Sequence, residues 1–357
     1  MNNVVMKKSE IDGYLNKSDL KFLADLEDAY RKSIVASEMM ERADSDEQSS
    51  EAGRLLTDNS KVVGDMLESF VKTVGNIHVY SFETPSSEHP VASRIISKLR
   101  NIDTKKGEFT YYIQRAYELM FAYIFCRKGL ERKRSIICRT PVDNPCAQYA
   151  CHRIIDIDDK IGNSVVCVML RGALLPSMII SKEIEEYSSS GYVTPFALFR
   201  IKRNDDKSEK DMEYIMDLDR SFFYKDELEG KDLIFADPMN ATGGSLITIL
   251  RFLERNSIRI KSVKFINIIS ALKGCMNIAR FKCPFPIDIY TLWLDPVLNP
   301  KAYILPGLGD AGDRINGMDT VLKSRNIMQL IADYGSEMAN LYRDQVREIE
   351  RVVLEKR

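Results

Sequence analysis

The densest chemistry in the sequence lies in Asp237-Pro238-Met239-Asn240-Ala241-Thr242-Gly243-Gly244-Ser245. A turn of Thr, Gly, Gly and Ser at a helix start offers a phosphate two hydroxyls, unpaired backbone N–H groups and a favourable dipole. The glycines admit close backbone approach and positive φ. A carboxylate at Asp237 cannot hold that phosphate; it suits ribose hydroxyls or a metal. Sugar and phosphate side by side describe a ribose 5-phosphate cradle. The string has neither the Gly-Lys-Ser/Thr of a P-loop nor the Gly-x-Gly-x-x-Gly of a dinucleotide site, and its general strand–turn–helix form also fits other nucleotides. Further upstream, Arg171-Gly172-Ala173-Leu174 sets a cation and a small-residue turn after an apolar run, a fit for a diphosphate. The stretch from Tyr303 to Arg314 places three glycines and two aspartates around Pro306, so it forms a tight loop. Alternating backbone donors and acceptors in such a loop can read a flat pyrimidine edge without any side chain.

Hydrophobic periodicity supplies the elements that position these residues. Leu233-Ile234-Phe235-Ala236 is a buried strand before the cradle, and Leu246 to Leu253 an amphipathic helix after it. Val165 to Leu170 is continuously apolar, as in a central parallel strand, and a helix with Met178, Ile179 and Ile180 follows. Phe196-Ala197-Leu198-Phe199 is the next strand, with Arg200 at its tip; the charged run from Ile201 to Asp211 is expected to be a loop. Strands at 263–269 and 287–294 flank a short helix at 271–281. Strands alternating with helices predict an α/β fold, a doubly wound, mostly parallel sheet with its site at the strand carboxyl ends.

The amino-terminal part is helical in pattern. Residues 18–43 form one expected helix with Ser18 as N-cap, the polar run 44–50 a loop, and about 52–73 a second helix. These read as packing or oligomerisation elements. Residues 76–80 form a short strand, and His89, standing before Pro90, reads as structural rather than catalytic. Residues 324–355 are expected to form one long helix whose apolar stripe drifts, lying on the amino-terminal helices or on a second subunit.

Composition excludes several function classes. Lysine plus arginine (51) nearly cancels aspartate plus glutamate (52), which leaves no global charge for nucleic acid or an acidic membrane. No apolar run reaches the ~18 residues of a spanning helix, and Met1 to Lys8 has no signal-peptide core. Seven cysteines, an odd number, point to reduced thiols in the cytoplasm. Cys138, Cys146, Cys151 and His152 fit no closed zinc pattern, and the three cysteines are expected to be buried thiols.

The nine-residue cradle closely resembles the phosphoribosyl-diphosphate (PRPP) loop of uracil phosphoribosyltransferases, commonly Asp-Pro-Met-Leu-Ala-Thr-Gly-Gly-Ser; Asn240 stands at the usually apolar position. Pro306-Gly307-Leu308-Gly309-Asp310-Ala311-Gly312-Asp313-Arg314 resembles the uracil loop of the same family. The resemblance runs over roughly 77–318, with 1–76 a helical extension and 319–357 a carboxyl-terminal helix. It implies an enzyme, a pentosyltransferase converting uracil and PRPP to UMP and diphosphate with Mg2+, in pyrimidine salvage, as a homodimer or higher homo-oligomer.

By resemblance Arg171 and Arg200 serve the diphosphate, Asp237 to Ser245 hold PRPP, Ile304, Gly309 and Ala311 contact uracil through the backbone, and Asp310 faces both substrates. Arg171, Arg200 and Asp310 are thus the implied catalytic residues. The chain departs from the family in three further places. The small pair after Arg171 is inverted, the lid lacks its Thr-Leu-x-Pro with Asp217 where a lysine is usual, and Asn316-Gly317-Met318 replaces Phe-Gly-Thr. These departures keep open a transferase for another pyrimidine-like base and a non-catalytic PRPP or UMP sensor acting through its terminal helices.

Overall fold

A computed structural model of the chain describes residues 3–84, 89–126, 132–204 and 206–317. In chain order it begins with strand β1 (Asn3–Lys7), helices α1 (Lys8–Asp12), α2 (Lys17–Glu41) and α3 (Asp46–Val71), and strand β2 (Ile77–Ser81). Helices α4 (Pro90–Arg100) and α5 (Lys106–Phe125) lead to a hairpin of β3 (Lys133–Arg139) and β4 (Tyr149–Ile155). Then come α6 (Asp158–Ile161), β5 (Ser164–Leu170), α7 (Leu174–Tyr187), β6 (Phe196–Arg203), β7 (Glu213–Phe222) and α8 (Lys225–Leu228). The remainder is β8 (Asp232–Asn240), α9 (Gly244–Arg255), β9 (Ser262–Ala271), α10 (Leu272–Arg280), β10 (Ile287–Asp295), β11 (Val297–Leu298), β12 (Ile304–Leu305) and α11 (Ala311–Asn316).

Eight strands form the main sheet, in the order β1-β7-β6-β5-β8-β9-β10-β2. From β6 to β2 every pairing is parallel; β7 runs antiparallel to both β6 and β1. The expected doubly wound, mostly parallel sheet is thus present. All seven residues of β5 are buried, because helices cover both faces of a central parallel strand. Helices α4, α5 and α7 lie on one face and α9 and α10 on the other. On α9, Leu246, Ile247, Ile249, Leu250 and Leu253 are all essentially buried. Each such side chain contributes about 1.5–3 kcal/mol relative to exposure, which anchors the helix whose first turn meets the cleft. The chain leaves β5 outward to β6 and returns at β8 to build the other half of the sheet. That makes the gap between the ends of β5 and β8 the topological switch point, where ligands bind in such folds.

Several sequence expectations need correction. The N-cap of α2 is Asn16, not Ser18: its side chain accepts from the Asp19 amide at 2.9 Å, and the Asp19 carboxylate accepts from the Asn16 amide at 3.1 Å. The expected loop at 44–50 is mostly the first turns of α3, capped by Ser45, with Asp46 and Glu47 favourably placed at the positive helix end. A strand, β1, lies in the amino-terminal part read as helical. The loop expected from Ile201 starts later than read: β6 continues to Arg203, so Arg200 lies within the strand rather than at its tip, and the connection to β7 begins only after Arg203. Cys138, Cys146 and Cys151 are exposed on or beside the β3–β4 hairpin, not buried. The helix expected at 324–355 falls outside the described residues.

Candidate active site

The cradle forms at the carboxyl end of β8. Gly243 is the N-cap of α9 with φ of +76°, a left-handed conformation in which a side chain is strained. A Cβ there would lie 2.8 Å from Ile278 Cγ1 and 2.9 Å from the Gly274 carbonyl oxygen. Gly244 has no spare room either, since a Cβ would fall 2.2 Å from Tyr214 Cζ. Tyr214, buried on β7, shares a short hydrogen bond with the Thr242 hydroxyl, which also accepts from the Gly244 amide at 3.3 Å. Beneath the turn, Asn277 donates to the Thr242 carbonyl at 2.9 Å, and Asn267 donates to the Asp237 carbonyl at 2.8 Å. The backbone of the turn is therefore held from below while residues 242–245 line the cleft.

This cleft, about 310 Å3, is lined by Arg171, Arg200, Lys202, Arg203, Tyr214 and the whole run Asp237 to Ser245, with Asp310 and Ala311 on the far wall. A second cavity of about 370 Å3 adjoins it, lined by Ile304, Pro306, Gly307, Leu308, Gly309 and Asp310. Arg203, Met239, Ala241, Ala302 and Asp310 border both. All fifteen residues expected from the sequence to form the site therefore border one or other of these two neighbouring cavities. Asn240 is the exception in orientation: it is buried and its amide donates to the Cys275 sulfur at 3.7 Å, so its side chain serves the core. His89 stands apart, at the N-cap of α4 with its ring 4.7 Å from that of Tyr80.

The loop from Tyr303 to Arg314 is shaped by its backbone. Its β12 pairs with β11, and Gly307 and Gly309 adopt φ of +62° and +74°. A Cβ on Gly307 would meet the Ile304 carbonyl oxygen at 2.3 Å, so only glycine closes the turn. Asp295 accepts the Gly307 amide at 2.9 Å and a guanidinium N–H of Arg100 at 2.6 Å. Asp310 caps α11 by accepting from the Asp313 amide at 2.9 Å. Arg171, at the end of β5, donates to the Asp313 carboxylate at 3.2 Å and to the Gly317 carbonyl at 2.9 Å. Gly172 passes close to Gly312, with space for a Cβ only at contact distance, 3.7 Å. The turn at Arg171 and the loop around Asp310 are thus locked together.

Four cations, Arg171, Arg200, Lys202 and Arg203, line the cleft and suit it to a polyanion. Asp237 lines it too, and burial, with the Asp310 carboxylate nearby, pushes its pKa up to about 7 against one opposing hydrogen bond from the Met239 amide. A carboxylate so placed is incompletely satisfied and gains from hydroxyl donors or a cation. Among the described residues no cluster of three or more His, Cys, Asp or Glu can hold a metal.

Sequence reasoning missed Tyr214, Lys202, Arg203, Asn277 and the Arg100–Asp295 pair. Lys202 and Arg203 were hidden in a run of charges that reads as a solvated loop. Tyr214 shows only as an aromatic in a short alternating segment, and nothing local reveals the other three.

Comparison with known proteins gives a consistent picture. The family model for uracil phosphoribosyltransferase matches residues 192–317. The chain is 42% identical over 230 residues to a uracil phosphoribosyltransferase of Finegoldia magna, covering 64% of this chain and 96% of that protein. It is 30% identical over 231 residues to that of Campylobacter curvus, covering 64% and 94%. Among solved structures, the AQ2163 protein from Aquifex aeolicus is similar with a TM-score of 0.47 at 23% identity, covering 68% of this chain and 99% of that one.

Proposed function

The chain belongs to the uracil phosphoribosyltransferase family, a pentosyltransferase, and from that premise we propose that it joins uracil to PRPP, giving UMP and diphosphate. One observation carries this reading: the phosphate turn and the backbone-built base loop line neighbouring cavities, with Met239, Ala241 and Asp310 bordering both. A phosphate site alone would suit many nucleotides; joined to a base loop it suits transfer between them.

In this reading the amides of the Thr242–Ser245 turn hold the 5-phosphate and Asp237 accepts from the ribose hydroxyls. Arg171 and Arg200, with Lys202 and Arg203 alongside, neutralise the diphosphate. Ile304, Gly309 and Ala311 read uracil by backbone groups. The ring nitrogen N1 forms the new bond to C1 of the ribose as the C1–O bond to diphosphate breaks, the bonding pair leaving with the diphosphate and the N1 proton passing to solvent. Asp310, between base and sugar, faces the positive charge that develops on the ribose. Mg2+ bound with PRPP would be held by Asp237 and would supply further charge neutralisation. Such chemistry needs positioning and fixed charge rather than a covalent intermediate; orientation alone is worth about 7–11 kcal/mol in well-aligned reactions.

Two features support the remaining expectations. Exposed Val35, Leu55 and Val62 share one side of the α2–α3 pair, which supports assembly into a homo-oligomer. No helix among the described residues is long and apolar enough to cross a membrane, and we place the enzyme in the cytoplasm in pyrimidine salvage. Calorimetric titration tests the substrate assignment. PRPP should bind more tightly with Mg2+ than without, and UMP should compete for the same site. Binding of UMP and PRPP to one protein molecule at once would contradict it.

A further inference from the structure

Residues ahead of the family-like region reach the phosphate turn. β1 adds to the edge of the sheet beside β7, and the Lys8 amide donates to the Met212 carbonyl at 2.9 Å. At the end of α1, one carboxylate oxygen of Asp12 accepts from the Asn277 amide at 3.1 Å. The same Asn277 nitrogen donates to the Thr242 carbonyl at 2.9 Å, and Asn277 is fully buried. The Thr242 carbonyl shares a rigid peptide plane with the Gly243 N–H, so fixing one orients the other. The other oxygen of Asp12 pairs with Lys8 and, at 3.5 Å, with Lys273. Lys273 also holds Glu209 at 2.7 Å, and Lys8 holds it at 3.4 Å. Glu209 lies in the connection between β6 and β7, the strands that bring Arg200 and Tyr214 to the cleft. The four side chains are 12–23% exposed, so water and salt weaken these pairs less than they would surface pairs.

We propose that Asp12 is a positioning residue for PRPP binding. It holds the phosphate turn through Asn277 and the β6–β7 hairpin through Lys273 and Glu209. The amino-terminal segment is on this view part of the substrate site and not only a packing element. The proposal rests on the reading of Asp237 to Ser245 as the PRPP cradle.

The test is calorimetric PRPP affinity in Mg2+ buffer with the full-length protein, alongside steady-state kinetics and thermal melting. Asp12→Ala should weaken PRPP about tenfold, by leaving Asn277 short of an acceptor and Lys273 short of an anion. The PRPP KM should rise in step while kcat stays within about twofold. Asp12→Asn keeps an acceptor for Asn277 and should recover most of the affinity. Asn277→Ala should also weaken PRPP, and the double variant should lose less than the sum of the two single losses, because the path through Asn277 is shared. Should Asp12→Ala not fold, Asp12→Asn with Lys273→Met replaces it, and a severalfold loss of affinity is expected. A lower melting temperature with unchanged PRPP affinity, or strictly additive losses, overturns the proposal. Wild-type protein that fails to bind PRPP overturns the cradle assignment as well. Wild-type binding matched by the variants overturns this proposal alone.

Discussion

Arg100 donates to the Asp295 carboxylate at 2.6 Å, and the second oxygen of that carboxylate accepts the Gly307 amide at 2.9 Å. One ion pair between α4 and β10 thereby fixes the base loop. Asp295 is only 1% exposed, so removing its partner leaves a buried charge uncompensated, at a cost of about 3–5 kcal/mol. Arg100→Met should lower the melting temperature and raise the KM for the base severalfold, while PRPP affinity changes little. Thermal melting and two-substrate kinetics check this. Equal loss for both substrates would show that the pair supports the whole domain rather than the loop.

Gly243→Val should abolish PRPP binding. The position needs φ of +76°, and the first carbon of any side chain would press on Ile278 and the Gly274 carbonyl. Backbone strain and overpacking together cost about 3 kcal/mol. That is tolerable for the fold but displaces the amides that face the phosphate. Calorimetry on the folded variant is the measurement; wild-type affinity would place the phosphate elsewhere.

Asp237 gives a pH signature. Its folded pKa lies at about 7, above the ordinary 3.8, so the unliganded fold is most stable while the group is protonated. This contribution is fully present below about pH 4 and is lost as pH rises through 7. Hydroxyl donors and Mg2+ favour the carboxylate, so PRPP binding at pH 6 should release close to one proton per site, and almost none at pH 8.5. Calorimetry in buffers of different ionisation enthalpy measures the release. Asp237→Asn should abolish it and should stabilise the free protein more at pH 8 than at pH 5. Proton uptake on binding would contradict the assignment.

Much of the site was legible because its residues lie in two unbroken strings between long apolar runs. β8, the glycine turn and α9 follow directly from Leu233 to Leu253, since a buried strand and an amphipathic helix leave strong periodic signals. The parts that were not legible depend on distant partners. Strand β6 extends through Lys202 and Arg203 only because β7 pairs with it, and their charges mimic a solvated loop. Asn16 and Ser18 are both good caps, and only the reciprocal bonds with Asp19 distinguish them. Arg100 and Asp295 are 195 residues apart in sequence, and Asp12 and Asn277 265 apart. No local pattern joins such pairs. The cysteines on β3 and β4 were misjudged because burial is typical of free thiols, whereas this hairpin stands away from the core.

The most direct test of the central claim is turnover of labelled bases by the purified full-length protein with PRPP and Mg2+, resolving nucleotide and diphosphate products. Uracil and cytosine differ in two adjacent hydrogen-bonding positions. A buried backbone edge arranged for one order leaves groups unpaired against the other, a penalty large enough to reject it. Uracil should yield UMP and diphosphate in equal amounts, and cytosine should yield no CMP. PRPP binding without nucleotide formation from any pyrimidine base, or much faster consumption of another base than of uracil, would contradict the assignment.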